Sequence, residues 1–344
     1  MKIRQLKSAL AVMLIVATTS LFAGDIDRRG TAAATQLLIP VGGKNFAMSG
    51  ANTASTKGID ALYWNPAGLG LVTGGEAMFS TMNYFGDEIT INYLAGAYNV
   101  GFGVVGVSFK AFDFGDIPLT TNDDPLGLSG ATFSPTFAIL GFSFAKKFTD
   151  AISFGLNLKY ITEEVPSASA EALAFDFGLQ YRNLGNIKNL DFGVVANNIG
   201  QDMTFEGSAF LHEGSLEGSI IPDYFYAIPI QTFELPTSYS LGLAYTYNID
   251  NDNQVKVAGT FVSENLDADR MLLGAEYGLM SIFYARLGYQ MQPGNTNSDQ
   301  DVFGLTAGIG VDYSFSGVKA SLNYVYRDQQ FFDANNLFSF SVQF

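Results

Sequence analysis

The chain has no cysteine, one histidine and one tryptophan among 344 residues. Without cysteine there are neither disulfides nor thiolate metal sites, so an exported chain of this length must gain its stability from strand pairing and burial. His212 lies in the stretch LHEGSLEG with no strand-borne serine patterned around it, which argues against a Ser-His-carboxylate enzyme. One histidine and no cysteine leave only oxygen ligands for a metal. No glycine run precedes a helix in the way a phosphate loop requires, so no cofactor is implied. Basic residues are scarce, 18 against 33 acidic, for a formal charge of −15; nucleic acid is therefore excluded as a partner. Charged residues make up only 15 %, below the roughly 25 % of soluble domains. Past the first 23 residues no apolar run reaches about 18 residues, so no helix of that kind spans a membrane.

Those first residues, MKIRQLKSALAVMLIVATTSLFA, read as a secretory signal peptide over 1–23. Lys2, Arg4 and Lys7 precede an apolar run from Ala9 to Ala17, with small residues at Ala23 and Gly24. Its removal leaves 15 basic and 33 acidic residues, a formal −18.

Aromatics, by contrast, are abundant at 14 %, with 30 Phe and 17 Tyr, alongside 37 Gly. They fall in period-2 alternation. In 317–327, GVKASLNYVYR, Val318, Ala320, Leu322, Tyr324 and Tyr326 share one face; Lys319, Ser321, Asn323 and Arg327 share the other. Segments 150–160, 171–182 and 238–248 repeat the pattern. Fourteen strands follow, near 76–84, 88–98, 101–112, 132–147, 150–163, 171–183, 189–199, 234–248, 253–263, 269–279, 282–290, 301–314, 317–327 and 335–344. Connections after even strands are short; those after odd strands are generally longer, notably 113–131, 200–233 and 291–300. A sandwich has no reason to alternate its connections so, whereas a membrane barrel has. The expected fold is all-β: a fourteen-stranded antiparallel transmembrane β-barrel over 73–344, preceded by a hatch at 24–72. Its termini and short turns would be periplasmic, its long loops extracellular.

Several side chains stand out as candidates. Lys159, Asp176, Arg182, Lys256, Glu276 and Arg286 fall on the inner face, either as bracing ion pairs or as a path for a carboxylate. The loop 200–233 carries Phe205, Phe210, Tyr224, Phe225 and Tyr226, more apolar surface than a solvated loop needs, as a site for a partner or ligand. The last strand, LFSFSVQF, places Phe340 and Phe344 on its apolar face and resembles the signal read by the barrel-assembly machinery; outer-membrane lipid would cover that face. In TTNDDPLG, Asp123 and Asp124 read as a solvated loop rather than a calcium site. Upstream of the strands, Ile59 to Trp64 followed by Asn65-Pro66 reads as a short helix stopped by proline, with Gly68 and Gly70 reversing the chain.

The run GGKNFAMSGANTAS…GIDALYWNPAGLGLV, with Tyr63, Trp64, Asn65, Pro66, Ala67, Gly68 and Leu69, resembles the N-terminal signature of PorV/PorQ outer-membrane proteins, relatives of the FadL group. FGVVANNIG (192–200) and ELPTSYSLGLAYTY (234–247) fit as well. The resemblance implies a hatch tucked into the periplasmic end of a fourteen-stranded barrel, with Trp64 as an apolar plug. It implies a type IX secretion component that binds cargo C-terminal domains beside a translocon. The alternative is a FadL-like channel for hydrophobic small molecules, which requires a ligand-sized apolar pocket above the hatch.

Overall fold

Alternation becomes geometry in β7: Ile152, Phe154 and Tyr160 point out and are exposed, whereas Ser153, Asn157 and Lys159 point in and are buried. A computed structural model describes residues 24–85, 88–214, 224–293 and 302–344; the signal peptide expected over 1–23 lies outside them. The strands are β1 (Gly75–Tyr84), β2 (Ile89–Asn99), β3 (Val104–Asp113), β4 (Ile117–Pro118), β5 (Thr132–Phe133), β6 (Thr136–Lys147), β7 (Ile152–Val165), β8 (Ala168–Tyr181) and β9 (Leu190–Gly200). They continue as β10 (Leu211–Gly214), β11 (Tyr224–Ala227), β12 (Ser238–Asn248), β13 (Gln254–Glu264), β14 (Arg270–Leu279), β15 (Phe283–Met291), β16 (Phe303–Phe315), β17 (Val318–Gln329) and β18 (Asn335–Gln343). Fourteen of them form one closed antiparallel barrel, sealed by β1 against β18 from Glu76↔Gln343 to Asn83↔Asn336. Closure leaves no unpaired edge, which a lipid environment demands. The outward residues form an apolar surface, with Leu94, Val107, Phe142, Leu287, Ile309 and Leu322 all about half exposed. That surface faces hydrocarbon.

The structure differs from expectation in several places. The two long connections are not wholly irregular: β4 pairs with β5 and β10 with β11 as small sheets outside the ring. The connection after β7 is a two-residue turn, because β7 and β8 each run 14 residues and carry the hairpin past its neighbours. Residues 234–237 do not begin a strand; Leu235 turns into the lumen and is buried there. Tyr245, on the apolar face of the alternating segment 238–248, is not exposed but buried under Leu184 and Ile187 of the β8–β9 turn.

Residues 24–72 lie inside the ring, and the largest correction concerns them. They do not sit at one end. Arg28 pairs with Glu234 at 2.7 Å and Arg29 with Asp267 at 2.6 Å, both in connections at the loop end. At the opposite end, the Asn99 amide donates to the Val72 carbonyl at 2.9 Å, and Gly75 pairs with Phe344. The segment thus threads the whole lumen from loop end to turn end.

Glycines in the barrel wall admit it. A Cβ on Gly155 would lie 2.2 Å from Pro66, and one on Gly178 2.2 Å from Asn65 Oδ1. Gly193 lies against Ala54, Gly274 and Gly288 against Met48, and Gly308 against Ala47 in the same way. At Gly155, Gly193 and Gly288 the segment's backbone lies directly on the wall, and at Gly178, Gly274 and Gly308 its side chains do, so a wall side chain at any of these positions would collide with it.

A candidate ligand cavity at the loop end

The Tyr-Trp-Asn-Pro motif ties the threaded segment to itself. Trp64 Nε1 donates to the Val41 carbonyl at 2.9 Å, and the Tyr63 hydroxyl to the Leu37 carbonyl at 3.1 Å. Burial pushes the Tyr63 hydroxyl's pKa up, keeping it a neutral donor. The Tyr63 and Trp64 rings meet edge to face, 5.0 Å between centroids. Asn65 is fully buried; it donates to the Thr53 carbonyl at 2.9 Å and accepts from the Ala67 N–H at 3.1 Å, capping the turn Pro66–Leu71. Gly68 brings that turn against the Thr56 carbonyl, where a Cβ would sit at 2.1 Å.

Of the six inner-face charges singled out in the sequence, five fall into two buried clusters. Lys159 pairs with Asp176 at 2.7 Å and donates to Asn198 Oδ1, also at 2.7 Å. Glu276 accepts from Arg286 Nε at 2.6 Å and pairs with Lys256 at 3.4 Å. These bases are committed to carboxylates. Arg182 differs from the other five: it lies one residue beyond β8, at the turn-end rim, where it donates to the Asp150 carbonyl and sits with Gly70 to Thr73 of the threaded segment.

The apolar loop also divides. Phe205 stacks edge to face on Phe233 and packs against the buried cluster of Leu37, Met203 and Leu235, so it faces inward. Phe210 is half-buried at the end of a short turn, while Phe225 and Tyr226 stand 69 % and 46 % exposed on β11. The Tyr224 side chain lies outside the described residues. Phe340 and Phe344 point outward on the last strand, and the Phe344 ring covers Gly75. Asp124 accepts from the Leu128 and Ser129 N–H groups; these bonds hold its carboxyl below the ordinary range. Among the described residues no group of three or more His, Asp or Glu could hold a metal ion.

A cavity of about 450 Å³ lies at the loop end, above the crossing of residues 37–41. One wall is aromatic and aliphatic: Tyr84, Phe85, Phe112, Phe114, Phe137 and Phe303, with Ile39 on the floor. The other is polar, with Arg270, Glu264 and Gln290. Arg270 is paired with Glu264. Arg327 stands between the walls, 7 % exposed, its guanidinium 3.8 Å from the Phe303 centroid and 4.7 Å from that of Phe46. Among the described residues no carboxylate lies within ion-pairing distance of Arg327; the Asn335 side-chain amide lies beside it. A smaller cavity below shares Arg327 and Phe303 and is floored by Phe46, Tyr63 and Trp64. The sequence placed Arg327 on the inner face but gave no sign of Phe46 or Phe303 beside it, because their meeting depends on how the threaded segment lies.

Solved structures share this architecture. The Pseudomonas putida toluene transporter TodX superposes with a TM-score of 0.54 at 14 % identity, over 89 % of this chain and 99 % of that one. The CymD monoaromatic hydrocarbon channel gives 0.54 at 15 % identity, over 89 % and 98 %. A Pseudomonas aeruginosa FadL homologue gives 0.50 at 11 %, over 89 % and 98 %. The fold is that of the FadL-type outer-membrane channels. In sequence, a UPF0164 protein of Treponema pallidum (strain Nichols) is 28 % identical over 174 residues, 47 % of this chain and 42 % of that protein. The chain thus matches less than half of that relative's length. No family model matches.

Proposed function

We propose that this chain is an outer-membrane channel that captures hydrophobic small molecules in the loop-end cavity. The observation that carries the reading is the aromatic wall of that cavity, open at the loop end and closed below by the threaded segment. Apolar ligand surface leaving water there contributes roughly 25 cal/mol per Å², and the wall offers ring faces and edges to pack against. Arg327 gives the site a donor for a ligand's polar or anionic end without breaking an existing ion pair. Onward passage requires movement of the floor made by Phe46, Tyr63 and Trp64. The names of the structurally similar proteins, hydrocarbon and toluene channels, support uptake. They do not support delivery of cargo C-terminal domains beside a secretion translocon, a role for which the Tyr-Trp-Asn-Pro-Ala-Gly motif and the exposed Phe225 and Tyr226 are the remaining arguments.

The test is purification from native membranes in mild detergent, with mass spectrometry of bound proteins and small molecules. Uptake predicts a lone barrel carrying a hydrophobic molecule in near-stoichiometric amount. Recovery of a large translocon or a secreted protein's C-terminal domain, with no small molecule, overturns it.

A further inference from the structure

Far from the ligand cavity, at the turn end, basic side chains converge in a chain that has few of them. Lys146 and Lys147 close β6, and Arg182 follows β8; together they line a notch of about 450 Å³. Its other side is the end of the threaded segment, Gly70 to Thr73, and the β2–β3 turn, held by the Asn99 side chain, with Phe102 66 % exposed at the lip. Two acids lie beside these three bases: Asp150, paired with Lys147 at 2.7 Å, and Asp191, which accepts from the Asn183 N–H next to Arg182. Among the described residues Lys146 has no ion-pair partner. The notch is therefore net cationic on an acidic protein.

Its position says which anion it suits. Lys146 follows Leu140, Phe142 and Phe144 on the outward parity of β6. That column is paired side by side with Phe109, Val107 and Val105 of β3, and all six are exposed to the lipid side. An apolar column ending in a lysine, with aromatic rings of Phe102 and Phe144 6.0 Å apart beside it, matches an acyl chain below a charged headgroup. A soluble anion would have no use for the column.

We propose that this notch binds the phosphodiester of an anionic membrane lipid, with Lys146 and Arg182 on the phosphate and the lipid's chains along the β3–β6 column. The site is independent of the ligand cavity and of what that cavity carries. Native mass spectrometry of the intact barrel, titrated with dioleoyl phosphatidylglycerol and separately with dioleoyl phosphatidylcholine, tests it. The wild-type protein should retain phosphatidylglycerol preferentially, and Lys146→Ser with Arg182→Ser should weaken that retention by about tenfold or more. Lys188→Ser, which removes an exposed base of the adjacent turn outside the notch, should leave it unchanged. Heat-modifiability on gels confirms that each variant is a folded barrel. Equal retention by the double variant overturns the proposal. So does displacement of phosphatidylglycerol by an equal concentration of inorganic phosphate, which would assign the notch to a soluble anion.

Discussion

Arg327 lies with its guanidinium 3.8 Å from the centre of the Phe303 ring, and both residues line the two cavities that meet above Trp64. An aromatic face stabilises a cation by about 0.5–2 kcal/mol, depending on how dry the contact is. That is enough to hold the side chain in place, and well short of what a carboxylate partner would supply.

The first prediction follows from that shortfall. Arg327→Met should weaken ligands with an anionic end by about 10- to 100-fold, since a hydrogen bond to a charged group contributes roughly 1.5–3 kcal/mol. Neutral hydrocarbons of the same shape should bind within a few-fold of wild type. Isothermal titration with matched acid and hydrocarbon pairs checks this; equal losses for both would deny Arg327 a role in recognising charge.

The second concerns the glycine contacts. Gly178→Ala puts a methyl where Asn65 Oδ1 and Pro66 already lie, and overpacking of this kind costs about 1–3 kcal/mol. The barrel itself should persist by circular dichroism while the threaded segment loosens, raising ion conductance in planar bilayers. Gly96→Ala, where nothing lies within 4 Å of the added carbon, should leave conductance unchanged.

Breaking a buried pair provides the third. Lys159 and Asp176 are 2.7 Å apart with almost no exposed side-chain surface. Lys159→Met should destabilise the barrel by about 3–5 kcal/mol, because Asp176 is left charged and buried. Lys159→Met with Asp176→Leu should recover part of that loss, read as the shift in thermal unfolding midpoint.

Asp60 makes the fourth. It lies in the threaded segment, buried, with Oδ1 lacking a hydrogen-bond partner, and burial raises its carboxyl above the ordinary range. The folded state therefore holds this proton more tightly than the unfolded one, so stability falls as pH rises from the ordinary carboxylate range through the raised folded value. Unfolding followed by Trp64 emission should show a more stable segment at the acidic end of that window, and Asp60→Asn should flatten the dependence.

Much of the barrel was legible in the sequence, since alternation in segments such as 150–160 and 317–327 is enforced by lipid on one side and water or polar groups on the other. Strand ends were less so: Tyr245 alternates correctly yet is covered by the 184–189 turn, a tertiary contact that no local pattern records. The path of residues 24–40 was not legible, because it depends on Arg28 meeting Glu234 more than two hundred residues away. Gly155 and Gly178 stood on the inner face throughout, between Ser153 and Asn157 and between Asp176 and Gln180. Read as strand residues they carried no message; beside Pro66 and Asn65 they are the seat of the segment. Arg182 marks where parity stops informing: one residue past the strand, it sits at the turn-end rim, apart from the two buried clusters.

The sole tryptophan supplies the most direct measurement, because Trp64 floors the smaller cavity and no other indole contributes. Purified protein in a non-fluorescent detergent is titrated with toluene while Trp64 emission is recorded. Capture in the loop-end cavity predicts a saturable change that Phe303→Asp abolishes. A signal that never saturates, or one that Phe303→Asp leaves intact, would contradict the assignment of the cavity as the site of hydrophobic ligand binding.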